Sequence, residues 1–504
     1  MVKRVLSKFV SQDKACLSSM VKWLDEMKEI PPVSNRVLIT AFRNYTWIEW
    51  ALYSACVLRK KGFSSTILYK GSEIKTLYNN KYLKQFWSKA ENIPDIEFID
   101  LESLVYGESD FDYYYKGCEK DEIAALAYNY HIESQDITDN IYLYRVELEA
   151  LMTEASANAA RIKNLLSNKK YHQFICYSGI IWDTPLILKA ALDSNQETVC
   201  VEGWAWRAGH MIYNFNAPAL EYNVKGWMKH FGAWDKKKES EMNSYFGFLD
   251  GKKQNDSWLK TFHKVQRAKV TDEIPKDITD FLKGDQKVFL LACNVIGDSS
   301  LLNRETIFKS HKDFIQQTIE YFRQNKDIKL VIRVHPAEEW VKSKVKIRLG
   351  HYANKMSDGL NNVLVINSNV KLNTFSLIPF IHVGLVWVSS VGADLVARGV
   401  PVILAAATKY YGLGIGDEPK TIGEYFALLN KYKETEHKPS PEQIQKAKEY
   451  LYMVFKGFSF EAQGRSFRAD TCMLGKMPSQ EEHDKYFQIL LKQIPAPDLH
   501  FETK

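Results

Sequence analysis

Ile328-Lys-Leu-Val-Ile-Arg-Val-His-Pro-Ala-Glu338 is the stretch that decides the fold. A near-continuous apolar run of this length reads as a strand buried on both faces, the kind found in parallel sheets covered by helices. It stops at once in His335-Pro336, where proline fixes φ and withdraws a backbone donor. Upstream, Lys287-Val-Phe-Leu-Leu-Ala-Cys293 reads as another such strand, and Thr306–Asn325 between the two reads as a helix. Strand, helix and strand in that order form a βαβ unit and a parallel sheet. The series continues with strands at Val363–Ile366, Gly384–Val388 and Pro401–Ala405, and a helix at Pro441–Phe455.

The amino half repeats the pattern. Arg36–Thr40 and Ser65–Tyr69 read as strands flanking a helix at Thr46–Lys61, which Gly62 ends. A long amphipathic stretch covers 141–168. Strands at His172–Tyr177 and Thr198–Glu202 follow, with a helix at Pro185–Leu192 between them. The expected class is α/β: two Rossmann-like lobes whose parallel sheets face a central cleft, with ligands at the carboxyl ends of the strands. The expected divisions are a helical segment at 1–35, a first lobe at 36–270, a second lobe at 271–440 and helices at 441–504 that return to the first lobe. The polar, Lys-rich stretch 236–285 suggests the crossover.

Composition narrows the function classes. The 504 residues carry a formal net charge of +6, and their Lys and Arg are scattered among Asp and Glu rather than gathered in the stripe of a nucleic-acid binder. Seven cysteines, an odd number without a C-x-x-C pair, include Cys56, Cys176, Cys200 and Cys293 in apolar runs. They read as buried thiols in a reducing compartment. No apolar run approaches a membrane span, so a cytoplasmic protein is expected, with peripheral contact at the inner membrane face.

Three loops carry chemistry. His335, held by Pro336 after Arg333, is either a turn histidine or a donor to a phosphate or base carbonyl. Ser389-Ser390-Val391-Gly392-Ala393-Asp394 runs from a strand into a helix start, where free N–H groups and hydroxyls suit a phosphate and Asp394 suits a ribose. The plain alternative is an N-cap with a dipole-matched carboxylate. Asn294 and Asp298 lie on the loop after Cys293, at the same rim. Asp110-Phe111-Asp112 imitates a metal-binding D-x-D, but it closes no strong strand and reads as a decoy in an acidic loop.

The second half resembles the capsule polysaccharide biosynthesis family of GT-B glycosyltransferases. The resemblance rests on Asn294…Asp298, Leu330–Glu338, Asn373-Thr374-Phe375, Ser389–Asp394, Gly399–Val402 and Tyr410-Tyr-Gly-Leu-Gly414. Tyr177-Ser-Gly179, Glu202-Gly203 and Pro218-Ala219…Tyr222 add to it in the amino half. The His-Pro and Ser-Ser pairs are also similar to signatures of bacterial sialyl- and Kdo-transferases. Where the family more often has Ser-Thr and Glu, this chain has Ser389-Ser390 and Asp394.

The resemblance implies a nucleotide-sugar donor of the CMP, UDP or GDP type, a glycan or lipid-linked glycan acceptor, no metal and no other cofactor. Donor contacts then fall on Arg333, His335, Pro336, Ser389, Ser390, Gly392, Asp394, Asn294, Asp298 and Tyr410. Acceptor contacts fall on Ser178, Gly179, Arg207 and His210. An inverting transfer needs a base, for which Glu202, at a strand end before Gly203, is the first candidate and Asp183 the second. A sugar epimerase, a polyol-phosphate transferase or a non-catalytic assembly component are the alternatives.

Overall fold

The computed structural model describes residues 24–31, 33–42, 45–74, 81–118, 145–181, 183–203, 210–221, 224–252, 259, 273–295, 301, 304–341, 348–457, 460–461, 488 and 491. Within them, the residues of Met1–Leu126, Val146–Asn223 and Ser459–Lys504 form one compact unit and those of Ala127–Arg145 and Val224–Phe458 a second.

In the first unit the spatial order proceeds from β1 (Arg36–Ala41) through β2 (Ser64–Tyr69) to β3 (Ile96–Asp100) on one side, and from β1 through β4 (Gln173–Tyr177) to β5 (Thr198–Gly203) on the other. β6 (His210–Phe215) and β12 (Phe460–Glu461) complete the edge, giving the order β12-β6-β5-β4-β1-β2-β3. The strands β1 to β5 pair in parallel because helices return the chain each time; Tyr45–Lys60 lies between β1 and β2, and Thr184–Asp193 between β4 and β5. β5 to β6 and β6 to β12 are antiparallel, so this sheet is mixed rather than wholly parallel as expected. The order reverses between β1 and β4, and this is the switch point of the unit.

The second unit holds β7 (Val288–Ala292), β8 (Lys329–Arg333), β9 (Val363–Ile366), β10 (Val383–Val386) and β11 (Val402–Leu404), in the order β11-β10-β7-β8-β9. All its ladders are parallel, and its switch point lies between β7 and β10. The helix His311–Gln324 buries Phe314, Ile315, Ile319 and Phe322 against the sheet. Each unit is therefore a Rossmann-like α/β layer, as expected.

The boundary differs from the one expected at residue 270. Val224 onward belongs to the second unit, because the helix Lys236–Leu249 buries Met242, Tyr245 and Leu249 there. The helix Pro441–Tyr452 packs on Val391–Ala397 of the same unit, whereas the expectation sent 441–504 back to the first lobe; the described residues after Ser459 do join the first unit. Of the expected N-terminal helix, only Leu24 to Lys28 are described as helical.

At both switch points a side chain continues the hydrogen bonding where the ladder ends. The described β1–β4 register runs from Val37↔Gln173 to Ile39↔Ile175, and Tyr177 N–H then donates to Thr40 Oγ1 at 3.2 Å. Beyond Val386↔Ala292, the Asn294 amide bonds Val388 twice, accepting from its N–H and donating to its carbonyl, both at 3.1 Å. Thr40 is buried, so Thr40→Val, which keeps the shape and removes the acceptor, should cost about 1–3 kcal/mol. Urea denaturation of the intact protein, followed by a probe in the first unit, measures that loss.

Candidate functional site

In the second unit, the residues expected to hold a donor divide by burial. Arg333 is 2% exposed, and each of its five N–H groups meets an acceptor. Nη1 donates to Ile366 O and Asn367 O, Nη2 to Val370 O and Leu372 O, and Nε to Thr374 Oγ1, at 2.9–3.4 Å. Burial pulls its guanidinium down to about 10. Arg333 thus clamps the loop after β9, with its N–H groups turned to protein acceptors rather than to the rim where a donor contact was expected.

Asp394 and Tyr410 turn inward as well. Asp394 is 2% exposed and accepts from Tyr245 Oη at 3.1 Å, so it does not stand at the rim for a ribose. Burial raises its carboxyl to about 7 against the opposing pull of Arg398 and Tyr245. Tyr410 is buried and donates to Ser389 O at 2.7 Å. Gly392 makes that contact possible, because a β-carbon there would lie 2.2 Å from Tyr410 Oη. These residues, with Asn294, shape the Ser389–Ser390 loop rather than present themselves.

The half-buried residues are His335, Pro336, Ser389 and Ser390. His335 Nδ1 accepts from Ala337 N–H at 3.1 Å, which places the ring proton on Nε2 in the neutral form. Ser389 Oγ accepts from Val391 N–H at 3.3 Å. Ser390 starts the Val391–Ala397 helix without a capping bond from its side chain. His335 follows β8 and Ser389 follows β10, two strands apart, so they share a carboxyl rim within about 10 Å across the sheet. Ser389 and Asn294 stand at the switch point itself. Asp298 lies outside the described residues.

Sequence reasoning did not single out Glu338, which is buried just beyond His335 and accepts from Leu349 N–H at 2.7 Å. Burial raises its carboxyl, and the backbone bonds of Leu349 and Gly350 oppose this. It was also silent on Tyr245, whose spacing from Met242 and Leu249 marks the apolar face of an otherwise Lys- and Glu-rich helix.

In the first unit, Ser178-Gly179 follows β4 at the switch point, with φ of +60° and +82°. Ser178 is fully buried and donates to Glu202 Oε2 at 2.8 Å, joining two residues that were placed in different roles. Glu202 itself is half-buried. Asp183 is 3% exposed and lies 2.5 Å from Lys70 Nζ, with Asn158 Nδ2 donating to the same oxygen at 2.9 Å. Lys70, which directly follows β2, also meets Glu154 at 3.0 Å. Burial alone would lower this ammonium; the carboxylates of Asp183, Glu154 and Glu73 outweigh it and raise it. Its place at a strand end was the available signal. Arg207 and the side chain of His210 lie outside the described residues.

Asp110 and Asp112 lie on the helix Glu108–Lys116 rather than in a loop, and Asp112 pairs with Lys116. Two residues apart on a helix, the carboxylates do not share a face. No group of three or more His, Cys, Asp or Glu able to hold a metal occurs among the described residues. Among them, no helix is long and apolar enough to cross a membrane.

With the second unit's rim defined, comparison with known families becomes informative. Residues 240–434 match the family described as Capsule polysaccharide biosynthesis protein. The match spans Asn294, His335, Ser389, Ser390 and Tyr410, and it bears out the resemblance drawn from their motifs. No curated protein matches the chain. Among solved structures, the protein is similar to the beta Kdo 2,4 transferase KpsC of Thermosulfurimonas dismutans, with 13% identity, 64% of this chain and 87% of that chain covered, and a TM-score of 0.36. It is also similar to a glycosyltransferase of Rickettsia africae, with 10% identity, 91% and 99% covered, and a TM-score of 0.30. For the UDP-GlcNAc 2-epimerase of Neisseria meningitidis the values are 12%, 83%, 99% and 0.25.

Two outcomes test this construction. Gly392→Ala should destabilise the second unit by about 1–3 kcal/mol through overpacking, and adding Tyr410→Phe should recover part of that loss. A non-additive double-mutant cycle in denaturant unfolding checks the contact. Asp394 has a folded-state value near 7, above that of an unfolded carboxyl. Its contribution to stability is full below pH about 4 and is lost as pH rises through about 7. The buried His311, lowered to about 3, titrates oppositely but is present in both proteins. Subtracting Asp394→Asn from wild-type thermal midpoints across pH 4–8 should therefore leave a falling difference curve.

Proposed function

We propose that the protein is a glycosyltransferase of capsule or surface polysaccharide assembly that uses a nucleotide-sugar donor. The observation that carries this reading is the family match over the second unit, whose half-buried His335 and Ser389–Ser390 share the carboxyl rim at its switch point. In α/β sheets that crevice is where nucleotides bind. In this reading the rim takes the donor's phosphate and base, and the first unit takes the glycan or lipid-linked glycan acceptor.

The chemistry follows from the groups present. The Glu202 carboxylate accepts the proton of an acceptor hydroxyl, whose oxygen forms a bond to the anomeric carbon. The bond from that carbon to the phosphate oxygen breaks, and the nucleotide leaves with the electron pair. Hydrogen bonds from His335 and Ser390 meet the charge that develops on the phosphate. Glu202 is favoured over Asp183 because Asp183 is nearly enclosed and already bound to Lys70 and Asn158. The reading includes turnover without metal, and a site of action at the inner membrane face reached by peripheral contact.

A thermal-shift screen with CMP, UDP, GDP and their sugar conjugates is the first test, since binding to the folded state raises its midpoint. His335→Ala and Ser390→Ala should each weaken the selected nucleotide, by about 1.5–3 kcal/mol where the lost bond is charge-assisted. Glu202→Gln should keep that affinity and lower kcat by about 10²–10⁴. Unchanged nucleotide affinity in both alanine variants, measured by calorimetry, overturns the donor site. Turnover lost in EDTA and restored by Mn²⁺ overturns the metal-free reaction, and release of an epimerised donor without acceptor replaces transfer with epimerisation.

A further inference from the structure

We infer that Ser178 is the positioning residue of Glu202: its hydroxyl orients the carboxylate and keeps it in the proton-accepting form, rather than touching an acceptor. This rests on the reading of Glu202 as the base and deepens it.

The backbone supplies the first argument. Ser178 sits at φ +60°, a left-handed conformation that costs an L-residue about 1–2 kcal/mol and a glycine almost nothing. The next residue is a glycine for a visible reason. A β-carbon on Gly179, at φ +82°, would meet Pro218 Cα at 3.0 Å and Cys200 Sγ and Leu188 Cδ2 at 3.2 Å. At 178 the conformation alone would favour glycine too. What serine adds there is one hydroxyl.

That hydroxyl has a fixed origin and a fixed target. Ser178 N–H donates to Val201 O and Ser178 O accepts from Ala219 N–H, both at 2.8 Å, so the residue is held on each side. Its side chain is fully buried and reaches Glu202 Oε2 at 2.8 Å. An ionised carboxylate only accepts, so a hydroxyl that donates to it favours the ionised form over the protonated one. Strain held at a non-glycine residue beside a reacting group is the pattern expected of preorganisation. Full burial also removes Ser178 from the expected acceptor contacts.

The test separates the hydroxyl from the backbone. Ser178→Gly removes the hydroxyl and tolerates the left-handed turn; Ser178→Ala removes it and retains the β-carbon. In protein labelled with carbon-13 at glutamate carboxyls, the Glu202 signal is identified by its loss in Glu202→Gln. Its titration should move upward by about one unit in both Ser178 variants. With the donor selected by the nucleotide screen, the acidic limb of the pH profile should move upward with the titration, so that kcat at a fixed pH on that limb falls about tenfold while donor KM stays constant.

A titration that stays in place in a folded Ser178→Gly protein overturns the inference. Failure of the base assignment reads differently. There, Glu202→Gln keeps full turnover while the titration still moves, which upholds the Ser178 bond and removes only the catalytic role.

Discussion

A parallel sheet that reverses its order creates a place where backbone hydrogen bonding runs out, and both units of this protein are organised around that shortage. At the reversal two neighbouring strands send their chains away to opposite faces, and the groups beyond the last ladder pair need other partners. The first unit answers with Thr40, which accepts from Tyr177 N–H, and the second with Asn294, whose amide takes both backbone groups of Val388. These small bonds fix where Ser178 and Ser389 begin.

The polar residues around each rim serve this geometry before they serve any ligand. In the second unit, Arg333 spends every donor on carbonyls and Thr374, and Tyr410 reaches across Gly392 to the Ser389 carbonyl. His335 and the two serines are the half-buried remainder. In the first unit, Lys70, Asp183 and Asn158 form a buried polar knot with the exposed Glu154 at its edge, while Glu202 stays half-buried on the serine hydroxyl. A buried charge held by several partners is costly to disturb, which makes such a knot a scaffold and a poor proton carrier.

The strands that were legible in the sequence are those with uninterrupted apolar runs, β7 and β8 above all. β3 was passed over because Ile96-Glu-Phe-Ile-Asp100 is short and interrupted by charge. β6, His210-Met-Ile-Tyr-Asn-Phe215, was passed over beside an irregular aromatic stretch. The unit boundary was misplaced because Lys236–Leu249 looks like a solvated linker by composition, and only the spacing of Met242, Tyr245 and Leu249 reveals its buried face. The site motifs follow strand ends, where the sequence put them, but the way their side chains turn was not legible. Sequence places Arg333 and Asp394 at a rim; the direction in which a polar side chain turns depends on carbonyls and hydroxyls far along the chain, such as Leu372 and Tyr245.

The Lys236–Leu249 helix also decides where this polypeptide can be divided. The family match opens at residue 240, inside that helix, and the apparent polar linker runs on to 285. A fragment begun at either place loses part of a structural buttress. Asn373 Nδ2 would lose the Leu249 carbonyl, Arg398 would lose Asp250 and the Phe246 carbonyl if the whole helix were removed, and even the cut at 240 discards the Asp235 cap. On the amino side of this helix the crossing between the two units falls at Asn223–Val224. An exchange of segments with a related protein, by recombination or by design, that splices there keeps this helix together with the Asn373 and Arg398 it bonds.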